Sequence, residues 1–285
     1  MRKERIFMKR GQQRGVSPPR RWRTLGFLGW AVWLTGLGVC GALGCGGGGG
    51  GAGAVCGNGK LESGEECDVV KGLGTTCSAE CTWQEFSVEP DPSGSATRPA
   101  VSVAPDGHFV VAYGKRLPDS FETQAYAVLY GPNGELLWGP SPLASAHSGN
   151  EGGVTVVARA GGAFTAAWHR GAEMEREVML RSFPAGAPDT ALQELVVNDP
   201  EALGDQYGPS VATHGDGVVV AWTSLFTDGD GAGVQAGRYG ADGAPRDEPF
   251  TVNSHWENDQ KLPSVASSPD GKHLVVWESK CQESG

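Results

Sequence analysis

The sequence predicts an all-β fold assembled from repeats, and two observations support this prediction. Aromatic residues recur at a nearly constant spacing of 55, 54 and 55 residues, at Tyr113, Trp168, Trp222 and Trp277. Short apolar runs rich in Val and Ala alternate with clusters of Gly, Pro, Asn and Asp, a pattern typical of strands and turns rather than helices. A fixed period of this size indicates one supersecondary unit that is repeated along the chain.

Each complete repeat contains four apolar runs. In the third repeat, the first run begins at Pro209, the second ends at Trp222, and the others cover residues 233–239 and 249–252. Four antiparallel strands in roughly 40–55 residues are typical of a β-propeller blade. We therefore predict a β-propeller-like array of about 3.5 blades over residues 85–285, with the periodic aromatic residues in the core. Tandem β-sandwiches are a weaker alternative, because each would need about 100 residues.

The phase of the repeats leaves the last blade incomplete. A lone outer strand is expected at residues 85–88, followed by three full repeats and then two strands of a fourth repeat that end at Trp277. Since propellers close with about four to eight blades, we expect the chain to belong to a longer protein. The alternative is a four-bladed ring in which the strand at 85–88 joins the last blade.

The third repeat also carries a fuller motif than the others. It resembles a bacterial secreted repeat family with the pattern PxVAxxxDGxxVVaW, followed by a segment that ends in Val-Asn. The resemblance covers about residues 85–279 and implies a propeller-like structure at a cell surface, with no catalytic set to transfer. The matching residues are Pro209, Val211, Ala212, Gly217, Val220, Trp222, Asp228, Gly229, Gly233, Val234, Arg238, Gly243, Val252 and Asn253.

The amino terminus has the features of an export signal. Nine Lys or Arg residues lie in the first 24 positions, followed by an apolar stretch from Leu25 to Val39. That stretch is short for a membrane span and typical of a signal-peptide core. The segment that ends at Cys45 resembles a bacterial lipobox, which implies lipidation of that cysteine. We predict a signal peptide over 1–44, a lipid anchor in the outer membrane or cell surface, and a Gly-rich tether over 45–55; simple secretion is the alternative.

Four cysteines follow the tether, at Cys56, Cys67, Cys77 and Cys81. Downstream of an export signal they predict two disulfides, and their spacing leaves all three pairings open. A zinc site is less favoured, because it would prefer paired CxxC spacings. The stretch resembles the cysteine-rich repeat of myxobacterial surface proteins, CGNGxxExGExCDDGN…GDGCSxxC. We predict a disulfide-rich module over 56–82, and we assign no partner to Cys281.

The charge of the chain excludes one class of partner. The net charge is −10, and without residues 1–44 it becomes −18, from 14 basic and 32 acidic residues. This balance argues against nucleic-acid binding. The acids concentrate in the loops that join the second strand to the third and one repeat to the next, which lie on one face of a propeller. The loop acids are Asp119, Glu122, Glu173, Glu175, Glu177, Asp228, Asp230, Glu151, Asp199, Glu201, Asp205, Glu257 and Asp259.

One loop has the residues of a cation site. Asp228 and Asp230 alternate with glycines, which would let carboxylate and carbonyl oxygens converge on Ca²⁺. A plain turn is the alternative, and no other cofactor is predicted.

No HExxH, GxSxG or phosphate-binding loop occurs in the sequence, and the six histidines are scattered. We therefore expect a non-catalytic binding or display protein of the bacterial surface, whose acidic loop face holds a protein or glycan ligand. The alternative is a carbohydrate-active hydrolase or lyase with its site on the same face, so the sequence alone leaves open whether the protein is an enzyme.

Overall fold

The computed structural model describes the backbone of residues 5–10 and residues 58, 81–82, 85–89, 95–116, 121–146, 149–199 and 203–280. This part of the chain is all-β and forms antiparallel sheets, which confirms the predicted fold class. Two short 3₁₀ turns, Ala160–Gly162 and Pro188–Thr190, interrupt the second sheet. Within the described residues no helix is long and apolar enough to cross a membrane.

Within the described residues, fifteen strands build four sheets, and three of these sheets have four strands in sequence order. The first sheet is β2-β3-β4-β5, the second β6-β7-β8-β9 and the third β10-β11-β12-β13, while the fourth is β14-β15 with β1 beside β15. The strands are β1 (Arg5–Arg10), β2 (Ala96–Val103), β3 (Phe109–Arg116), β4 (Thr123–Tyr130), β5 (Leu136–Pro142), β6 (Glu151–Ala158), β7 (Phe164–Arg170), β8 (Glu177–Phe183), β9 (Leu195–Val196), β10 (Gln206–His214), β11 (Gly217–Leu225), β12 (Ala232–Tyr239), β13 (Phe250–Thr251), β14 (Gln260–Ser267) and β15 (His273–Ser279).

The four periodic aromatic residues are buried, as the sequence predicts. Trp168 belongs to a core cluster that the first and second sheets share and that also contains Phe164 and Leu143. Trp222 lies between the second and third sheets, and Trp277 between the third and fourth. The three tryptophans are each buried against the preceding sheet, while Tyr113 lies in a cluster with Val128 and Tyr130 of its own sheet. The spacing of the tryptophans is therefore the spacing of the inter-sheet core.

Hydrogen bonds also join the first strands of neighbouring sheets. The backbone N–H of Ala158 donates to Ser102 Oγ at 2.9 Å, and that of Val265 donates to Ser210 Oγ at 3.0 Å. These contacts place β2 beside β6 and β10 beside β14. The sheets therefore pack through their first strands, as blades pack around a propeller axis.

The Val-Asn pair that ends a repeat has a defined structural role. Asn198 Oδ1 accepts the N–H of Val178, and Asn253 Oδ1 accepts the N–H of Val234, both at 2.8 Å. Each acceptor satisfies a buried backbone donor near the start of a third strand. The motif is therefore explained by hydrogen bonding within the sheet.

The prediction of an outer strand at residues 85–88 is wrong, because residues 85–89 are not in a strand. The Phe86 ring packs edge-on against Tyr130, with 5.2 Å between ring centroids. The Glu89 carboxylate accepts from Tyr113 Oη at 3.0 Å and pairs with Lys115 at 3.2 Å. These contacts hold the segment against the first sheet, and the position beside β15 is taken by β1 instead.

The amino-terminal predictions fall largely outside the described residues. Cys81 is buried and disulfide-bonded. Cys45, Cys56, Cys67 and Cys77 lie outside the described residues, so the anchor and the disulfide pairing stay predictions.

Candidate functional site

The loop face is the end of the sheets formed by the loops between second and third strands and between successive sheets. In the third sheet, Gln206 at the start of β10 pairs with Ser224 near the end of β11, and Leu225 pairs with Ala232 at the start of β12. The antiparallel register therefore brings both kinds of loop to one end of the sheet. Thr123 and Asn150, from the two kinds of loop, are joined by a 2.9 Å hydrogen bond.

Asp205 forms a multiple hydrogen-bonded ion pair with Arg176 on the loop face. Its carboxylate accepts from Arg176 Nε at 2.9 and 3.0 Å and from the Arg176 backbone N–H at 3.1 Å. Burial acts to raise the pKa of Asp205, but the hydrogen bonds and charge of Arg176 outweigh it and hold the pKa below its usual range. The pair joins the loop before β10 to the loop before β8.

Other predicted loop acids also serve to hold the loops in place. Asp259 pairs with Lys280 at 3.2 Å. Glu151 Oε2 accepts the N–H of Ala125 at 2.8 Å. Asp119 and Glu201 lie outside the described residues. The described contacts of Asp259 and Glu151 are therefore with a lysine and a backbone amide.

The predicted calcium ligands face different partners. Asp228 Oδ2 accepts from Asn253 Nδ2 at 2.7 Å, and Asp230 Oδ2 accepts the N–H of Asn258 at 3.0 Å. Asp228 also lies over Gly233, where an added Cβ would be 2.5 Å from Oδ2. Within the described part of the chain no group of three or more His, Cys, Asp or Glu side chains is placed to hold a metal ion. Calcium binding at Asp228 and Asp230 stays a prediction.

The structure adds a feature of the loop face that the sequence analysis missed. Six large apolar side chains in these loops and at the start of β14 are between 48 and 90% exposed. No periodic pattern in the sequence distinguishes them. They are Phe121, Met174, Leu203, Phe226, Trp256 and Leu262.

Three of these six side chains lie on backbone that residues other than glycine rarely adopt. The φ angles of Met174, Phe226 and Leu262 are 73°, 64° and 52°. A left-handed conformation costs about 1–3 kcal/mol and persists only where the surroundings enforce it. For Phe226, the N–H donates to Gly231 O at 2.8 Å, and the ring covers Gly204, where a Cβ would come within 2.9 Å. The loops thus hold strained apolar residues towards solvent.

The chain matches no protein-family model and no curated protein. Among solved structures it is similar to an endo-arabinase from Bacteroides thetaiotaomicron VPI-5482, with 14% identity, a TM-score of 0.42, and coverage of 70% of this chain and 76% of that one. A thermostable family-43 glycoside hydrolase has 12% identity, a TM-score of 0.41, and coverage of 64% and 65%. A mutant α-L-arabinofuranosidase from Fusarium graminearum has 10% identity, a TM-score of 0.46, and coverage of 67% and 58%.

The chain spans less than two thirds of the length of the second and third of these structures. Identities of 10 to 14% and TM-scores of 0.41 to 0.46 carry no argument about activity or substrate. The description of the loop face therefore rests on its own geometry.

Proposed function

We propose that this protein is a non-catalytic binding protein of the bacterial cell surface that holds a partner against its loop face. The observation that carries the proposal is the set of six exposed apolar side chains at one end of the sheets. Apolar side chains grouped on a surface are typical of interaction sites. The strained backbone at Met174, Phe226 and Leu262 supports the same conclusion, since such strain concentrates at binding sites.

The proposed partner is a polypeptide with basic and apolar residues. The loops that carry the apolar side chains also carry acids, among them Glu122, Glu173, Glu175 and Glu257. Complementary charge speeds encounter and selects among partners, while buried apolar side chains supply most of the affinity. In this proposal the lipidated Cys45, the tether and the disulfide module hold the loop face away from the membrane.

A retention experiment tests the proposal. The full-length protein is immobilised and exposed to bacterial envelope extract, beside a Phe226→Ser/Trp256→Ser variant of the loop face. The matched control is Leu136→Ser/Leu137→Ser, which removes two apolar side chains at the opposite end of the first sheet. We expect the loop-face variant to retain at least about tenfold less of a specific partner than the wild type, and the control to retain as much as the wild type. Equal retention by all three proteins would contradict the proposal.

A carbohydrate-active hydrolase or lyase is the second candidate. Glycoside hydrolases recur among the solved structures that the chain resembles, and the loop face would hold the site in this case as well. A panel of glycans, followed for released products, separates the two candidates. Turnover that Glu173→Gln or Glu257→Gln abolishes would replace the binding proposal with the enzymatic one.

A further inference from the structure

The interface between the second and third sheets contains a cleft of about 940 Å³. It runs between β9 and the face of the third sheet that carries Trp222, Gln235 and Tyr239, and it extends inward to Gln206 and Ser224. A volume of this size is within the range of small-molecule binding sites. The cleft follows the seam between two sheets and involves none of the six apolar residues of the loop face.

Substitutions between repeats explain why the cleft is open. In the second sheet, Arg170 lies two residues after Trp168 and is opposite Glu151 on the neighbouring strand. In the third sheet, the equivalent residue after Trp222 is Ser224, which is opposite Gln206. Gly237 of the third sheet pairs with Val220, and Arg181 of the second sheet pairs with Ala166. Val220 and Ala166 each lie two residues before the periodic Trp of their sheet, so Gly237 is at the position equivalent to Arg181. Two long side chains are therefore replaced by the two small residues Ser224 and Gly237.

The two arginines fill the corresponding space at the previous interface. Arg170 Nη1 donates to Glu194 Oε1 at 2.7 Å. Arg181 Nη1 donates to Leu143 O of the first sheet at 2.8 Å, and its Nε donates to Leu192 O at 3.0 Å. Arg170 and Arg181 thus fill this space between the first and second sheets with ionic and polar contacts, whereas Ser224 and Gly237 are too short to fill the equivalent space at the next interface.

The cleft also has buried polar atoms that need a partner. Gln206 and Ser224 are each 1% exposed, and Gln206 Nε2 and Ser224 Oγ have no hydrogen-bond partner among the described residues. Trp222 Nε1 donates to Gln206 Oε1 at 3.1 Å, which fixes the amide so that the Nε2 donors are directed elsewhere. Buried polar groups in native proteins are almost always paired, so a ligand or water that enters the cleft would supply the partners of these two atoms.

The lining restricts the chemistry of that ligand. Asp199, Asp247 and Glu248 outnumber Arg246 around the cleft, which disfavours an anion. Amide and hydroxyl groups lie beside the apolar surfaces of Leu195 and other residues. Hydroxyl groups both donate and accept hydrogen bonds, and the C–H faces of a sugar ring pack on apolar side chains. We propose that this cleft binds a neutral saccharide, with Gln206 Nε2 and Ser224 Oγ as the buried contacts.

The test measures binding to the full-length protein by saturation-transfer NMR and titration calorimetry. The probes are short malto-, cello- and xylo-oligosaccharides, with oligogalacturonate as the anionic comparison. Ser224→Arg restores the bulk of the previous interface, Gln206→Met removes the amide donors, and Ser224→Ala removes only the hydroxyl. The matched control is Ser279→Arg, because Ser279 of the fourth sheet is equivalent to Ser224 and lies outside the cleft.

We expect at least one neutral series to bind with a dissociation constant of about 1 mM or tighter. Ser224→Arg and Gln206→Met should weaken that binding at least about tenfold, while Ser279→Arg leaves it unchanged. If Ser224→Arg does not fold, Gln206→Met and Ser224→Ala decide the question. If no neutral saccharide binds, the cleft holds only water and the proposal is overturned. Tighter binding of oligogalacturonate than of every neutral saccharide would overturn it as well. So would an affinity that none of the cleft variants changes.

Discussion

Glu151 accepts the backbone N–H of Ala125 through Oε2 at 2.8 Å and so joins the first strand of the second sheet to the third strand of the first. In the second and third sheets the equivalent N–H donates to Asn198 or Asn253 of its own sheet. The first sheet has Ala144 at that position, and the next sheet supplies the missing acceptor.

From the hydrogen bond between Glu151 and Ala125 we predict different effects of two Glu151 variants on stability. Glu151→Gln retains an oxygen that can accept from Ala125, so the free energy of unfolding should change by less than about 1 kcal/mol. Glu151→Leu leaves the buried N–H without its acceptor and should lower that free energy by about 1–3 kcal/mol. Urea denaturation measures both. Equal losses from the two variants would show that the hydrogen bond is not the contribution that matters.

The Asp205–Arg176 pair predicts acid sensitivity. The pKa of Asp205 is lowered in the folded protein, so the pair contributes stability above the usual carboxyl pKa of about 3.9 and loses it as pH falls through the folded value. Asp205→Asn should lower the free energy of unfolding at pH 7 by roughly 1.5–3 kcal/mol. The difference in this free energy between variant and wild type should narrow as pH falls below the usual carboxyl pKa of about 3.9 and through the folded value. A difference that stays constant as the protein is acidified through this range would contradict this account.

His169 predicts a second pH effect, at higher pH. Burial, followed by the charges of Arg176 and Arg98, lowers the pKa of His169 from 6.5 to about 4. Because protonation is then disfavoured in the folded state, stability is complete above pH 6.5 and declines as pH falls towards 4, by about 3 kcal/mol in total. His169→Gln should flatten the curve of melting temperature against pH in this window. If the slope of melting temperature against pH is the same in the variant and the wild type, the decline in stability comes from other groups.

Phe226 predicts a separation of stability from binding. Its φ of 64° favours Gly or Asn, and its side chain is mostly exposed. Phe226→Asn should therefore leave the free energy of unfolding unchanged or raise it by up to about 1 kcal/mol, while weakening partner retention. Thermal denaturation and the envelope-extract assay measure the two effects. A variant that is clearly less stable would mean that the Phe226 ring is part of the core.

Much of the fold follows from periodicity alone. The spacing of Tyr113, Trp168, Trp222 and Trp277 identifies the repeated sheet, and the three tryptophans are each buried against the preceding sheet. The segment at 85–88 looks like another outer strand, but Phe86 packs on Tyr130 and the adjacent Glu89 pairs with Lys115, so the segment lies against the first sheet. Local sequence cannot anticipate such long-range contacts.

The binding features are harder to predict for a related reason. Single apolar residues in loops follow no pattern in the sequence, and only the folded chain shows that Phe226 and Trp256 lie exposed at the same end of the sheets. The cleft depends on differences between repeats, with Ser224 in place of an arginine, and aligning the repeats would have revealed that change. The electrostatic prediction was coarser, since it did not show that Asp205 pairs with Arg176.

The proposed anchor has its own test. Cys45→Ala should move the protein from the membrane fraction to the soluble exported fraction and abolish metabolic labelling by a fatty-acid analogue. Cys40→Ala, which changes the other cysteine near the end of the apolar stretch, is the matched control and should leave labelling intact. A wild-type protein that is never labelled would exclude lipidation at Cys45.

The most direct test of the central claim is site-specific photo-crosslinking of the full-length protein, with a photoreactive amino acid placed at single exposed positions. Positions Phe226 and Trp256 sample the loop face, and Leu136 samples the opposite end of the sheets. We predict a discrete crosslinked species from Phe226 and Trp256 in bacterial envelope extract, suppressed by about tenfold excess of unlabelled protein, and none from Leu136. Crosslinking that is equal at both ends, or confined to Leu136, would contradict the account of the loop face as the binding surface.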